Sequence, residues 1–164
     1  MPPTLTTPRC HLTAPTLADH DNYIRLKTDP EVRRYLGGPY ALETAESRFS
    51  SIIDPAPSTY CWVARTKSDD TFLGLVSLDQ HQGGNETEVS YEFLPEHWGS
   101  GYASETVQAV ISFAFKTLDL PQIVAETQTA NAPSRQLLER LGMTLSSSTH
   151  RFGEPQSIYT LARP

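Results

Sequence analysis

The chain has little that would tie it to a disulfide framework, a metal, a membrane or a nucleic acid. Its two cysteines, Cys10 and Cys61, stand alone without C-x-x-C spacing. That suits small core residues of a reduced, cytosolic protein rather than a disulfide scaffold. The five histidines show no ligand spacing such as H-x-x-x-H, so no metal is expected. No apolar run approaches the ~18 residues of a membrane span. The opening stretch MPPTLTTPRCHLTAP has neither a charged n-region nor an apolar h-region, so no signal peptide is expected. Thirteen Lys and Arg against nineteen Asp and Glu give a net charge of −6, and no basic cluster occurs. A nucleic-acid partner is therefore not expected. There is no internal repeat and no low-complexity tract.

What is present is ordinary globular material: 164 residues, 38% hydrophobic and 20% charged. This suits one domain, 1–164, with a substantial core. RCHLTAP alternates and stops at Pro15, as a first strand does. Residues 16–27 read as an amphipathic helix. In DPEVRRYL (29–36), Asp29 stands as N-cap and Pro30 at the first helical position of a second helix, ended by Gly37-Gly38-Pro39. A third helix runs over 41–53. The period then changes to two: strands at 59–65 and 72–78 with a turn at KSDD, and a cleanly alternating strand at 87–94. Helical spacing returns over 103–118. A strand at 121–128, a helix from Asn131 to Gly142, and strands near 144–150 and 156–162 complete the order. The fold class is α+β: a mostly antiparallel sheet of about six or seven strands, flanked by helices.

Gly99 and Gly101 sit in the loop between the strand at 87–94 and the helix at 103–118. The first N–H groups of a helix lack intrahelical acceptors, and the helix dipole concentrates partial positive charge there. Glycines let the backbone come close and take positive φ. Strand, glycine loop and helix start together make a main-chain cradle for a phosphate. The same spacing also makes a tight turn that binds nothing. Neither G-x-x-x-x-G-K-S/T nor G-x-G-x-x-G is present, since position 104 is serine, which disfavours P-loop and dinucleotide folds.

DPEVRRYL (29–36), TEVSYEFLPEHWGSGYASE (87–105) and NAPSRQLLERLGM (131–143) together resemble the GNAT superfamily of acetyl-CoA-dependent N-acetyltransferases, in its RimJ/RimL-like branch. They occur in the family's order and spacing, and the match runs from about Pro8 to Leu161. The resemblance implies that strands 87–94 and 121–128 are parallel, splayed neighbours that take the coenzyme between them. It implies main-chain contacts from Phe93 and Leu94 to the pantetheine arm. The pyrophosphate is then held by N–H groups of the loop and helix start, Trp98, Gly99, Ser100, Gly101, Tyr102, Ala103 and Ser104. Glu96 stands where the family has Gln or Arg, so the loop is expected to lack a nearby cation.

By the same resemblance Asn131 bonds the pantetheine amide and Arg135 reaches toward the adenosine phosphates. Leu138 replaces the tyrosine that protonates the departing thiolate in many relatives. Ser134 then becomes the candidate proton donor, with helix capping as its plainer role. An ammonium cannot attack a thioester, so a base is required. Glu88 aligns with a catalytic strand glutamate of several members, and Glu92 lies on the same face. Both also suit a merely solvent-facing position. Tyr35, Tyr40 and Trp62 are candidate walls for the acceptor, or core residues. Small enzymes of this kind often form homodimers. The implied reaction passes acetyl directly to an amine, either a protein N-terminus or a small molecule. The competing reading is a non-catalytic acyl-CoA-binding module.

Overall fold

The computed structural model describes residues 1–164. One eight-stranded sheet organises them, with the order β1-β2-β3-β4-β5-β6-β8-β7. The strands are β1 (Leu5–Thr6), β2 (Cys10–Thr13), β3 (Tyr60–Thr66), β4 (Phe72–Gln80), β5 (Thr87–Phe93), β6 (Gln122–Gln128), β7 (Thr144–Arg151) and β8 (Glu154–Ala162). The two-residue β1 raises the count above the expected six or seven; PTLTTP is too short to show a period. Every pair is antiparallel except β5 with β6.

Alternation along the strands assigns side chains to two faces. Trp62, Ala64, Val76, Val89 and Phe93 face α3 (Tyr102–Lys116) and α4 (Ala132–Arg140), whose Val107, Val110, Ile111, Leu137 and Leu138 complete one apolar cluster. Cys61, Val63, Leu75 and Leu94 belong to a second cluster with Tyr23 and Leu26 of α1 (His20–Thr28) and Phe49 of α2 (Leu42–Ile53). Helices therefore cover both faces.

The expected helix over 29–36 is not one. Residues 30–38 form a chain of turns. Asp29 does accept N–H bonds from Glu31 (2.8 Å) and Val32 (3.1 Å) through Oδ1. The backbone then mixes spans, with Arg33 N–H to Asp29 O, Leu36 N–H to Arg33 O and Gly38 N–H to Arg33 O. Arg33 also donates its Nε to Gly38 O and an Nη to Leu36 O. That guanidinium curls the segment back on itself, and Gly37 and Gly38, both at positive φ, release it.

Two local features shape the sheet on either side of β5. β5 and β6 share a single register pair, Glu88 with Val124, and diverge beyond it. On the other side, β4 presses close against β5 at Gly74. A Cβ there would stand 2.8 Å from Phe93 Cα and closer still to Glu92 O. Only glycine permits that approach.

Candidate active site

A cleft of about 1150 Å³ occupies the gap between β5 and β6. It exceeds the ~300–1,000 Å³ of common small-ligand sites, so it has room for a large cosubstrate and an acceptor. Its lining comes from both faces of the sheet: Ser90 and Glu92 from the α1/α2 side, and Val89, Tyr91 and Phe93 from the α3/α4 side. The divergence of the two strands thus makes a passage through the sheet.

At one end lies the glycine loop. Gly99 and Gly101 have φ of +78° and +82°, and Gly101 is the N-cap of α3 without a side-chain cap. The first bond of the helix is Glu105 N–H to Gly101 O, at 3.1 Å. The N–H groups of residues 99–104 find no acceptor within the chain. Gly99, Gly101, Tyr102, Ala103, Ser104 and Trp98 border the cleft. Trp98 donates Nε1–H to Phe93 O at 2.8 Å and is half exposed. It therefore ties the loop to the end of β5 rather than packing it onto the helix.

Two expected contacts fall elsewhere. Leu94 is buried and donates its N–H to Leu73 O at 2.9 Å, so its amide faces β4 and not the gap. By the alternation of antiparallel ladders, the amides of Tyr91 and Phe93 face the gap instead. Ser100 does not border the cleft, and its carbonyl accepts from Arg9 Nη1 at 2.9 Å. This also corrects the expectation of a loop without a cation. Arg9 lies across the Tyr102 ring, 4.4 Å from its centre, and pairs with Glu105. Glu96 is held by Arg25 at 2.5 Å, which draws its carboxyl below the usual range.

The wall from α4 is set by its cap. Asn131 Oδ1 accepts the Ser134 N–H at 3.3 Å, so Asn131 caps the helix and Ser134 does not. The Ser134 hydroxyl points into the cleft, 2.6 Å from the Tyr91 hydroxyl. Arg135 is turned away from the cleft. It donates Nε to the Tyr159 hydroxyl and Nη1 to Thr129 O, both at 3.2 Å. Its expected reach toward adenosine phosphates is not what the fold allows, because α4 presents that side to β8.

The glutamates separate clearly. Glu92 accepts from Lys27 at one oxygen and from Arg33 Nη1, at 3.0 Å, at the other. Both its oxygens are engaged, and it acts as the buried anchor of two cations. Glu126 borders the cleft and is likewise held, by His81 Nε2 at 2.7 Å and by two Arg151 nitrogens at 3.0 Å. Glu88 stands just behind the lining. One of its oxygens accepts the Glu126 N–H at 3.1 Å, and the other has no partner in the chain. Burial raises its carboxyl above the usual range, against the lowering influence of His81 and the Glu126 amide. A raised, half-free carboxyl is what a general base near neutral pH needs.

Tyr35 and Tyr40 border the α1/α2 side of the cleft. The Tyr40 ring lies between the cations of Lys27, Arg33 and Arg48, at 5.7, 4.3 and 5.1 Å. Trp62 is not with them. It is fully buried on the opposite face, stacked on Tyr60 and edge-on to Phe113, with its Nε1 bonded to Pro3 O. Its odd register in β3 sends it under α3, so it is a core residue. Cys61 does border the cleft, yet burial pushes its thiol up to about 12, which denies it a nucleophile's thiolate. Sequence reasoning missed Gly74, Arg9 and the Tyr91 hydroxyl. Only Tyr91 left a trace, as a polar side chain between the apolar Val89 and Phe93 on the inner face of β5.

Comparison with known proteins agrees with this geometry. The family model described as an acetyltransferase (GNAT) domain matches residues 9–144. The uncharacterized N-acetyltransferase YoaA of Bacillus subtilis is 29% identical over 99% of this chain and 98% of its own. An acetyltransferase from Agrobacterium tumefaciens superposes with a TM-score of 0.86 at 26% identity, covering 98% of this chain and 95% of that one. A Vibrio cholerae spermidine N-acetyltransferase, solved with CoA and spermine, superposes at 0.80 with 20% identity, covering 94% and 95%. With strand gap, glycine loop and family model in agreement, the chain belongs to the GNAT family of acetyltransferases and is an acyltransferase.

Proposed function

We propose that the chain transfers acetyl from acetyl-CoA to a primary amine by direct attack in a ternary complex. The observation that carries the reading is the set of unpartnered amides at residues 99 and 101–104 that border the cleft between β5 and β6. Charge-assisted bonds from such amides suit a diphosphate. The gap-facing amides of Tyr91 and Phe93 and the free Nδ2 of Asn131 suit the amide-bearing arm that follows.

Glu88 serves as the base, reached from the cleft through water, and takes the proton that the attacking nitrogen must lose. N–H groups along the open edge of β5 steady the developing oxyanion. Ser134 Oγ donates to the departing thiolate in place of the tyrosine that Leu138 replaces. Tyr35 and Tyr40 wall the acceptor. The raised thiol of Cys61 favours direct transfer over an acyl-enzyme. The RimJ/RimL-like motifs make a protein N-terminal α-amine the first acceptor to test, and small amines such as polyamines the second. The free, buried thiols fit a cytoplasmic enzyme.

The test is CoA release from acetyl-CoA with a panel of peptides and small amines, with mass spectrometry of the acceptor. The reading expects acetylated amine with wild type and a loss of about 10²–10⁴-fold in Glu88→Gln. Coenzyme binding with no acetylated amine from any class would instead support an acyl-CoA-binding module.

A further inference from the structure

The Tyr91 hydroxyl has one partner in the chain, Ser134 Oγ at 2.6 Å, and Ser134 Oγ has no other. A serine inside a helix ordinarily bonds back to the carbonyl one turn earlier. Ser134 instead reaches sideways across the gap, from α4 to β5. The Tyr91 ring packs against the core cluster beneath α3 and α4, so its hydroxyl is held in place. One turn along α4, Leu138 is 1% exposed and carries no donor. The hydroxyl pair therefore borders the cleft where the usual aromatic donor is missing.

We propose that Tyr91 is a positioning residue and proton source for Ser134, so that the two hydroxyls act together as the acid that meets the departing thiolate. The proposal rests on the acetyl-transfer reading above. A phenol is a stronger acid than an alkyl hydroxyl, so Tyr91 donates to Ser134. That orientation leaves the Ser134 proton free to face the cleft. As the amine nitrogen bonds to the carbonyl carbon, the C–S bond breaks and its electron pair stays on sulfur. The thiolate takes the Ser134 proton, and Ser134 takes the Tyr91 proton. The phenolate recovers one from solvent, to which the base has passed the proton lost by nitrogen.

The test needs no acceptor. CoA is bound to the purified protein, and ionisation of its thiol is followed by thiolate absorbance across pH. A donor aimed at sulfur favours the charged form. In Tyr91→Phe, which keeps the ring, the bound thiol should ionise about one pH unit higher than in wild type. Ser134→Ala should shift it at least as far, and the double variant no further than Ser134→Ala alone. Wild-type titration in Tyr91→Phe, with CoA still bound, would overturn the role of Tyr91 and leave the transferase reading standing. Failure of CoA to bind wild type would overturn both.

Discussion

Replacing Glu92 by glutamine isolates one carboxylate charge with almost no change of shape. Glu92, Lys27 and Arg33 have side chains only 11%, 14% and 9% exposed. Arg33 keeps two backbone acceptors, Leu36 O and Gly38 O. Lys27 keeps none, only the rings of Tyr23 and Tyr40 at 5.6 and 5.7 Å. Breaking a buried ion pair costs about 3–5 kcal/mol because the remaining charge is left unpaired. Glutamine retains an acceptor oxygen and Lys27 touches water, so the cost falls just below that range, about 2–3 kcal/mol. At about 2–4 °C per kcal/mol for a chain of this length, the melting temperature should fall by roughly 5–10 °C. Thermal unfolding followed by circular dichroism measures it. Adding Lys27→Met removes the orphaned charge and should recover at least half of the loss. A melting temperature within about 1 °C of wild type in Glu92→Gln, or no recovery in the double variant, would refute the assignment of Glu92 as a structural anchor.

Three further outcomes follow from the same geometry. Gly101→Ala forces a Cβ onto a residue at φ +82° and to 3.2 Å from an Arg9 nitrogen; CoA affinity by calorimetry should drop about tenfold, in line with the ~1–2 kcal/mol of left-handed strain. Gly74→Ala drives a Cβ into the β5 backbone and should destabilise by about 2 kcal/mol or more, read by urea unfolding. Because burial raises the Glu88 carboxyl, the folded state holds that proton more tightly than the unfolded chain. Its contribution to stability is full below the ordinary carboxylate range and fades as pH rises through the raised value. Glu88→Gln should abolish that fade in pH-dependent melts, and should remove the acid limb of the transfer rate, which wild type loses as Glu88 gains its proton.

The order of elements along the chain was largely legible because alternation in β5 and the apolar stripe of α3 are strong local periods. The loop 30–38 was not, because Asp29-Pro30 is a genuine helix-start signal overridden by Arg33, whose guanidinium finds acceptors at Leu36, Gly38 and Glu92. The glycine loop was legible for the same local reason: strand, Gly-x-Gly and helix lie within one short stretch. Arg9 was invisible, since only its tertiary contact with Glu105 at the start of α3 brings it beside Ser100, 91 residues away. Strand parity decides Trp62 and Leu94, and a shift of one position along a strand changes which side of the sheet a residue serves. The difference between Glu88, Glu92 and Glu126 is purely tertiary. All three are strand glutamates on one face, and only their distant partners distinguish an anchored carboxylate from one with a free oxygen.

Amide-resolved NMR of isotope-labelled protein titrated with CoA addresses the main-chain cradle most directly. The N–H signals of residues 99–104 should show the largest changes, with Tyr91 and Phe93 next and the buried core around Trp62 unmoved. Saturable shifts centred on any other element, or none in the loop at saturating CoA, would contradict the account.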